Sequence, residues 1–142
     1  MSTAAGGERK RLAVQILTPE GPVHDGVATM VVAPSVEGEV GILPRHAPIL
    51  ASLRVGDTRL QQLDDSTVVF ATTEGYMAVE EDRVLILVEQ AENAADIDRA
   101  DAQAALERAQ DALAAAGDDE TKRVAAESEL RRAENRLRVA DV

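Results

Sequence analysis

The sequence contains no cysteine and no tryptophan, and its aromatic side chains are limited to Phe70 and Tyr76. Without cysteine there are no disulfide bonds and no thiolate chemistry, which is consistent with a reducing cytoplasm. A core with so few rings has to be built from valine, isoleucine, leucine and alanine. No apolar run approaches the roughly 18 residues of a membrane-spanning helix, so the sequence predicts no transmembrane segment.

Positive charge is also scarce. The chain carries 15 lysines and arginines against 26 acidic residues, which gives a formal net charge of −11 at pH 7. Such a charge repels phosphate backbones and anionic lipid headgroups, and it disfavours binding to nucleic acid or direct adsorption to a membrane. The 142 residues, 45% of them hydrophobic, suit one folded domain or one domain with an appendage.

Motifs for catalysis and cofactor binding are missing as well. The chain has no phosphate-binding G-x-x-x-x-G-K-[ST] loop, and its two histidines, His24 and His46, are expected to be ordinary polar loop residues. Ser52, His46 and Asp57 supply the residue types of a hydrolase triad, but neither their spacing nor the predicted turns support one. The sequence therefore predicts no catalytic residues, no metal site and no bound cofactor.

The first part of the chain alternates with the period of a β-strand. Leu12, Val14 and Ile16 fall on one face of the first predicted strand. Turn residues are predicted at 19–22, 56–57, 64–65 and 81–82. Further extended runs are predicted at 27–33, 49–55, 58–63, 67–72, 76–80 and 83–88. Strands at this spacing indicate an antiparallel sandwich or barrel, and without helical crossovers we expect no parallel pairing.

Beyond about residue 93 the apolar period becomes that of a helix. Asp96 is the expected N-cap of a first helix, with Asp98 in its first turn, and Gly117 is expected to end it. Asp118 or Asp119 can cap a second helix. Two apolar stripes predict the seam of an antiparallel hairpin, and they comprise Ala102, Leu106, Ala109 and Leu113, then Ala126, Leu130, Ala133 and Leu137.

These patterns predict an α+β protein, in which an N-terminal antiparallel β-sandwich or barrel is followed by a C-terminal antiparallel two-helix hairpin. We expect a flexible tail at residues 1–10, a body at 11–92 and the hairpin at 93–142. Burial of the leucines in the seam hardly offsets the entropy of ordering two helices. The hairpin therefore needs the body or a partner to fix its position, which makes it the candidate moving part.

A loop rich in glycine and proline interrupts the strands. Gly38 and Gly41 can adopt positive φ and are expected to form a sharp reversal, while Pro44 and Pro48 stiffen the segment. Its apolar residues can anchor it, and it has no excess of polar groups. We interpret this segment as a rigid docking surface.

The second helix carries a cluster of cations, namely Arg131, Arg132, Arg136 and Arg138. One interpretation is a solvated face with pairs four residues apart, such as Glu127 with Arg131. The alternative is a basic face that meets an acidic surface of a partner.

The central segment contains the series Gly38-x-x-Gly41-Ile42-Leu43-Pro44-x-His46-Ala47-Pro48. This series resembles the signature of a known family, the epsilon subunit of bacterial F-type ATP synthase. The resemblance continues in the same order at residues 74–76, 84–92, 96–98 and 133–140, and it spans the chain from about residue 12 to the end.

The resemblance implies a non-catalytic rotor subunit of a proton-translocating synthase, located peripherally on the cytoplasmic face of the bacterial cell membrane. The body would bind the gamma subunit and the membrane rotor ring, with Gly38, Glu39, Gly41 and His46 at that interface. The hairpin would move between a packed and an extended position. In the extended position it would contact the beta subunit of the catalytic head and inhibit hydrolysis, with the four arginines as candidate inhibitory contacts.

Two residues depart from the family pattern. Glu74 stands where the family usually has glycine, so the local turn can differ. Some members bind ATP on the hairpin through an Ile/Leu-Asp-x-x-Arg-Ala motif, and here Asp101 replaces its arginine. Because an aspartate repels phosphate, we expect weak or absent ATP binding. The alternative function is a non-catalytic interaction module, built from a sandwich and a helical hairpin, of some other complex.

Overall fold

The computed structural model of the chain describes residues 10–141. The predicted tail, residues 1–10, lies outside this range apart from Lys10. Ten strands, labelled β1 to β10 in chain order, span Leu12–Thr18, Gly21–Ala28, Met30–Ser35, Gly38–Ile42, Ile49–Leu53, Gly56–Gln61, Thr67–Thr72, Gly75–Glu80, Arg83–Val88 and Ala91–Asn93. A turn of 3₁₀ helix at Ala94–Asp96 leads to α1, Arg99–Ala116, and α2, Glu120–Ala140.

The strands form one curved sheet in the order β10-β7-β6-β3-β5-β8-β9-β1-β2, with β4 paired to β3. His24 on β2, at one end of this path, contacts the ring of Phe70 on β7 near the other end, with centroids 5.4 Å apart. The sheet therefore folds over itself around a single core. The predicted class, a β-sandwich followed by two helices, is confirmed.

The core uses the side chains that the strand period places on one face. Leu12, Val14 and Ile16 are fully buried while Ala13 and Gln15 between them are exposed, as predicted. Every residue of the main hydrophobic cluster lies between Leu12 and Val88. The body thus has a core of its own that does not depend on the helices.

One pair of strands contradicts the expected topology. Strand β9 runs parallel to β1, with Arg83 opposite Ala13 and Leu87 opposite Leu17. The expectation of no parallel pairing assumed a helical crossover between neighbouring strands. Here the connection between the two parallel strands is the intervening sheet itself, so no helix is needed.

Several predicted strand boundaries also change. The run at 27–33 is two strands that meet at Thr29, whose N–H donates to the carbonyl of Gln61 at 2.8 Å. The turn predicted at 56–57 is wrong, because Gly56 begins β6 and the chain bends one residue earlier, at Val55. The turns at 64–65 and 81–82 are confirmed, and Asp65 has a φ of 69°.

The two helices begin at aspartates. Asp98, and not Asp96, is the N-cap of α1, and its carboxylate accepts from the N–H of Asp101 at 3.1 Å. Asp119 caps α2 in the same way. Gly117 ends α1 with a φ of 56°, as its position predicts. Among residues 10–141, neither helix is long and apolar enough to cross a membrane.

The helices pack closely through small side chains. Ala102 and Ala109 of α1 and Ala126 and Ala133 of α2 are buried. The four predicted seam leucines are each only half-buried, and they are Leu106, Leu113, Leu130 and Leu137. Because alanine lets two backbones approach closely, the leucines lie at the margins of the contact instead of at its centre.

The start of β8 is fixed by an unusually close backbone contact. A Cβ atom added to Gly75 would lie 1.9 Å from the carbonyl oxygen of Leu87, on the neighbouring strand. Only glycine fits there without movement of one strand.

We predict that Gly75→Ala lowers the free energy of unfolding by about 1–3 kcal/mol, the usual range for overpacking. Gly41→Ala is the matched control, because nothing lies within 4 Å of a Cβ at that strand position. Denaturant unfolding followed by circular dichroism measures both. Equal stability of the two variants would contradict the prediction.

Candidate interaction surfaces

The segment predicted as a docking loop begins as a strand. Residues Gly38–Ile42 form β4, and the reversal that precedes it lies at Val36 and Glu37. Ser35 Oγ donates to the carbonyl of Gly38 at 2.6 Å and closes this turn. Gly38 has a φ of 126°, whereas Gly41 has no positive φ, so the reversal expected at Gly41 is wrong.

Glu39 of β4 belongs to a charged cluster on the sheet surface. Its carboxylate accepts from Arg59 at 3.0 Å, and the same guanidinium contacts Asp57 at 2.8 Å. The hydrogen bond from Arg59 lowers the pKa of Glu39 below its ordinary value. Two carboxylates share one cation, so the cluster presents a small, oriented negative charge.

His46 lies on the segment that follows β4 and is half-buried. Its ring Nδ1 is 2.7 Å from the carbonyl of Ala47. The neighbouring Arg45 has a φ of 70°, and its N–H donates to Asp82 Oδ1 at 2.6 Å, which ties the segment to the β8–β9 turn. No hydrogen bond or ion pair in residues 10–141 joins His46 to Glu39.

We expected His24 to lie in a loop, but it is part of β2. Its ring packs edge-on against Phe70, and its Nε2 is buried without a hydrogen-bond partner among the described residues. Burial lowers the pKa of His24 below its ordinary value, because the charged form loses hydration.

The sequence analysis missed an apolar surface on the outside of the sheet, the outer face, formed by Leu50, Tyr76, Ala78, Leu85 and Leu87. Leu50, Ala78 and Leu85 are register partners across β5, β8 and β9, and Tyr76 is opposite Leu87. Leu50 is 75% exposed, Tyr76 57% and Leu87 45%. The sequence contains a signal for this surface, because β9 is apolar at every position from Val84 to Val88. A strand with one face in water would instead alternate apolar and polar residues. Contiguous exposed apolar surface is typical of a protein interface.

The hairpin meets the body through arginines of α2. Arg132 lies 3.4 Å from Glu74, and Arg131 lies 3.9 Å from the same carboxylate. Arg136 contacts Glu92 at 2.8 Å. Three of the four arginines predicted as partner contacts therefore face acidic groups of the body in this arrangement.

Arg136 also connects the body to α1. Its guanidinium lies 3.0 Å from Asp101 as well as 2.8 Å from Glu92. The hydrogen bond to Glu92, followed by that to Asp101, raises the pKa of Arg136. Asp101, the residue that replaces the arginine of the ATP motif, is thus engaged in neutralising a cation.

Asn135 is a second residue that the sequence analysis missed. It is 2% exposed, and its side-chain amide donates to the carbonyl of Gly56 at 2.9 Å. Its Oδ1 accepts from Arg138, the fourth arginine. No local pattern marks an asparagine among alanines and arginines as buried, because its partner is 79 positions away in the chain.

In the described part of the chain, the candidate side chains form neither a catalytic triad nor a metal site. Ser52, His46 and Asp57 are not joined by any hydrogen bond in the described part of the chain, where Asp57 is instead paired with Arg59. Within residues 10–141, no group of three or more histidine, cysteine or acidic side chains is arranged to hold a metal ion. The surfaces described above are suited to binding other macromolecules.

Two domain models of one known family match the two parts of the chain. A family model described as the beta-sandwich domain of the ATP synthase delta/epsilon chain matches residues 11–94. A second, described as the long alpha-helix domain of the same chain, matches residues 95–141.

Individual relatives agree with these models. The ATP synthase epsilon chain of Halalkalibacterium halodurans is 46% identical over 130 residues, which cover 91% of this chain and 96% of the relative. That of Bacillus velezensis is 44% identical over 131 residues, 92% of this chain and 98% of the relative. A chain in the OSCP/F1/c-ring structure of the Euglena gracilis mitochondrial ATP synthase shares the fold, with a TM-score of 0.78 at 20% identity, and the match covers 99% of this chain and 88% of that one. The chain belongs to the family of ATP synthase epsilon chains.

Proposed function

We propose that the chain is a central-stalk subunit of a proton-translocating F-type ATP synthase, which links the membrane rotor ring to the catalytic head through the gamma subunit. The observation that carries this proposal is the match of both parts, body and hairpin, to one family over nearly the whole chain. As a subunit without catalytic residues of its own, it would act at the cytoplasmic face of the bacterial membrane as a peripheral component.

The outer face is the proposed contact with gamma. Leu50 and Tyr76 stand more than half exposed on rigid strands, and removing such side chains from water provides the main driving force for association. The sheet holds them in place, so little conformational entropy is lost on binding. This contact is additional to the interface expected from the sequence. It leaves the surface around β4 for a different partner.

The proposed contact with the rotor ring is the surface around β4, with Gly38, Glu39 and Gly41 on the strand and His46 beyond it. Glu39 and its partner Arg59 form a polar, oriented pair that suits hydrogen bonding to polar loops of a ring. The exposed side chain of Leu43 adds apolar area to the same segment.

The hairpin is the proposed regulatory part. Its four arginines have acidic or amide partners in the packed position. If the hairpin extends towards the beta subunit, Arg131, Arg132 and Arg136 leave their acidic partners on the body and need new counter-charges, so the surface that receives them should be acidic. An extended hairpin held in this way would obstruct rotation in the direction of hydrolysis.

A charged substitution on the outer face tests the role of the body. We expect Leu50→Glu to weaken binding to purified gamma by at least about tenfold, because the carboxylate would be desolvated at the interface. Val124→Glu is the matched control. Val124 is likewise an exposed apolar residue, at 52%, but it lies on the hairpin. Biosensor measurements give the affinity of each variant for gamma. Equal affinities would show that the outer face is not part of the interface.

Truncation tests the division between body and hairpin. Cutting the chain after Asp96 keeps all ten strands and the complete core cluster. We expect the truncated chain to assemble with gamma as the full chain does, and the reconstituted enzyme to lose inhibition of ATP hydrolysis. Loss of assembly would contradict the proposed role of the body. Unchanged inhibition would contradict that of the hairpin.

We further propose that the hairpin binds ATP weakly or not at all. Arg136, which contacts the altered motif at Asp101, is neutralised by Glu92 and Asp101. Isothermal titration should therefore detect no micromolar ATP affinity in the natural sequence. Asp101→Arg should create measurable affinity, whereas Asp111→Arg, the same change elsewhere on α1, should not. Micromolar binding by the unmodified chain would refute the proposal.

The alternative, an interaction module of another complex, would use the same surfaces with other partners. Failure to co-purify with gamma and the catalytic head, together with recovery of a different complex, would favour it.

A further inference from the structure

Polar side chains of α2 contribute to the attachment of the hairpin to the body. The hydrogen bonds and ion pairs that cross between them in the described chain come from Arg131, Arg132, Asn135 and Arg136 of α2. Polar groups regain hydrogen bonds to water when such an interface opens, so opening costs less than it does for an apolar contact of similar size. The attachment is therefore suited to release.

Glu74 occupies a particular place in this attachment. It is the acidic partner of two successive arginines, Arg131 at 3.9 Å and Arg132 at 3.4 Å. The adjacent Gly75 packs against the carbonyl of Leu87 so closely that a Cβ would lie 1.9 Å away. Since the backbone next to Glu74 cannot shift without moving β9, the carboxylate is presented to α2 from a fixed base.

Arg132 depends on that carboxylate. Its side chain is only 22% exposed, and its Nε is buried with no hydrogen-bond partner among the described residues. Glu74 is the one acidic group paired with Arg132 in residues 10–141. Without Glu74, the packed hairpin would hold a largely buried cation that has lost its counter-charge, which penalises the packed position specifically.

We propose that Glu74 is the latch of the hairpin, the residue whose charge sets the fraction of molecules in which α2 is packed on the body. The latch is electrostatic, so it weakens as ionic strength rises. The positional equilibrium is a property of the isolated chain, and only its consequence for ATP hydrolysis rests on the proposed function.

The absence of cysteine allows a direct test by spin labelling of the full chain. Labels are attached at Thr67→Cys on the body and Val124→Cys near the hairpin tip, both exposed positions. Electron–electron distance measurements then separate packed from released molecules, at about 20 mM and about 500 mM NaCl, where the screening lengths differ several-fold.

We expect Glu74→Gln to raise the ratio of released to packed molecules by at least about threefold at low salt, the scale of one partly exposed ion pair. High salt should raise the same ratio in the parent and have less effect in Glu74→Gln. Glu81→Gln is the matched control, because Glu81 is an exposed glutamate paired with Arg83 within the body. It should leave the ratio unchanged.

The proposal is overturned if Glu74→Gln matches Glu81→Gln, or if all variants remain fully packed at both salt concentrations. Denaturant midpoints of the two variants establish that both bodies are folded. In the reconstituted synthase, Glu74→Gln should strengthen inhibition of hydrolysis. A changed label distance with unchanged inhibition would leave the latch intact and would count against the proposed function instead.

Discussion

The structure depends on how the hairpin is attached to the body. Hydrogen bonds and ion pairs of α2 contribute to this attachment, among them the contact between Arg136 and Glu92. The main core cluster lies wholly within the sheet, so the body keeps its structure whether or not the helices are packed on it. An apolar interface of the same extent would be harder to open. Polar attachment fixes the geometry of the packed hairpin, because hydrogen bonds and ion pairs require their partners at defined places.

Precise attachment requires that the body present its acceptors at fixed places. Parallel pairing of β9 with β1 ties the last long strand to the first. The tight fit of Gly75 against Leu87 then fixes the turn that carries Glu74. The carbonyl of Gly56, which receives Asn135, lies at the start of another paired strand. Rigidity in the body therefore gives the hairpin a defined packed position.

The two kinds of surface meet at the start of β8. Tyr76 belongs to the exposed outer face, and Glu74 lies two residues before it, at the contact with α2. Exposed apolar side chains on paired strands favour a long-lived contact with a partner, whereas half-exposed ion pairs favour a contact that forms and breaks readily. The chemistry of each surface thus fits a body that stays bound and a hairpin that changes partners.

The sequence by itself determined the fold class, most of the strands, both helices and the end of α1 at Gly117, and it narrowed the cap of α2 to Asp118 or Asp119. Strand and helix periods and cap preferences could be predicted because they depend on residues close together in the chain. It also determined the family, through the segment around Gly41 and His46. Only the tertiary structure decided the parallel pairing of β1 with β9, the burial of Asn135 and the pairing of Arg132 with Glu74, 58 positions away. Such partners are selected by how the sheet curves and where α2 lies across its end, and no local pattern of polarity records that geometry.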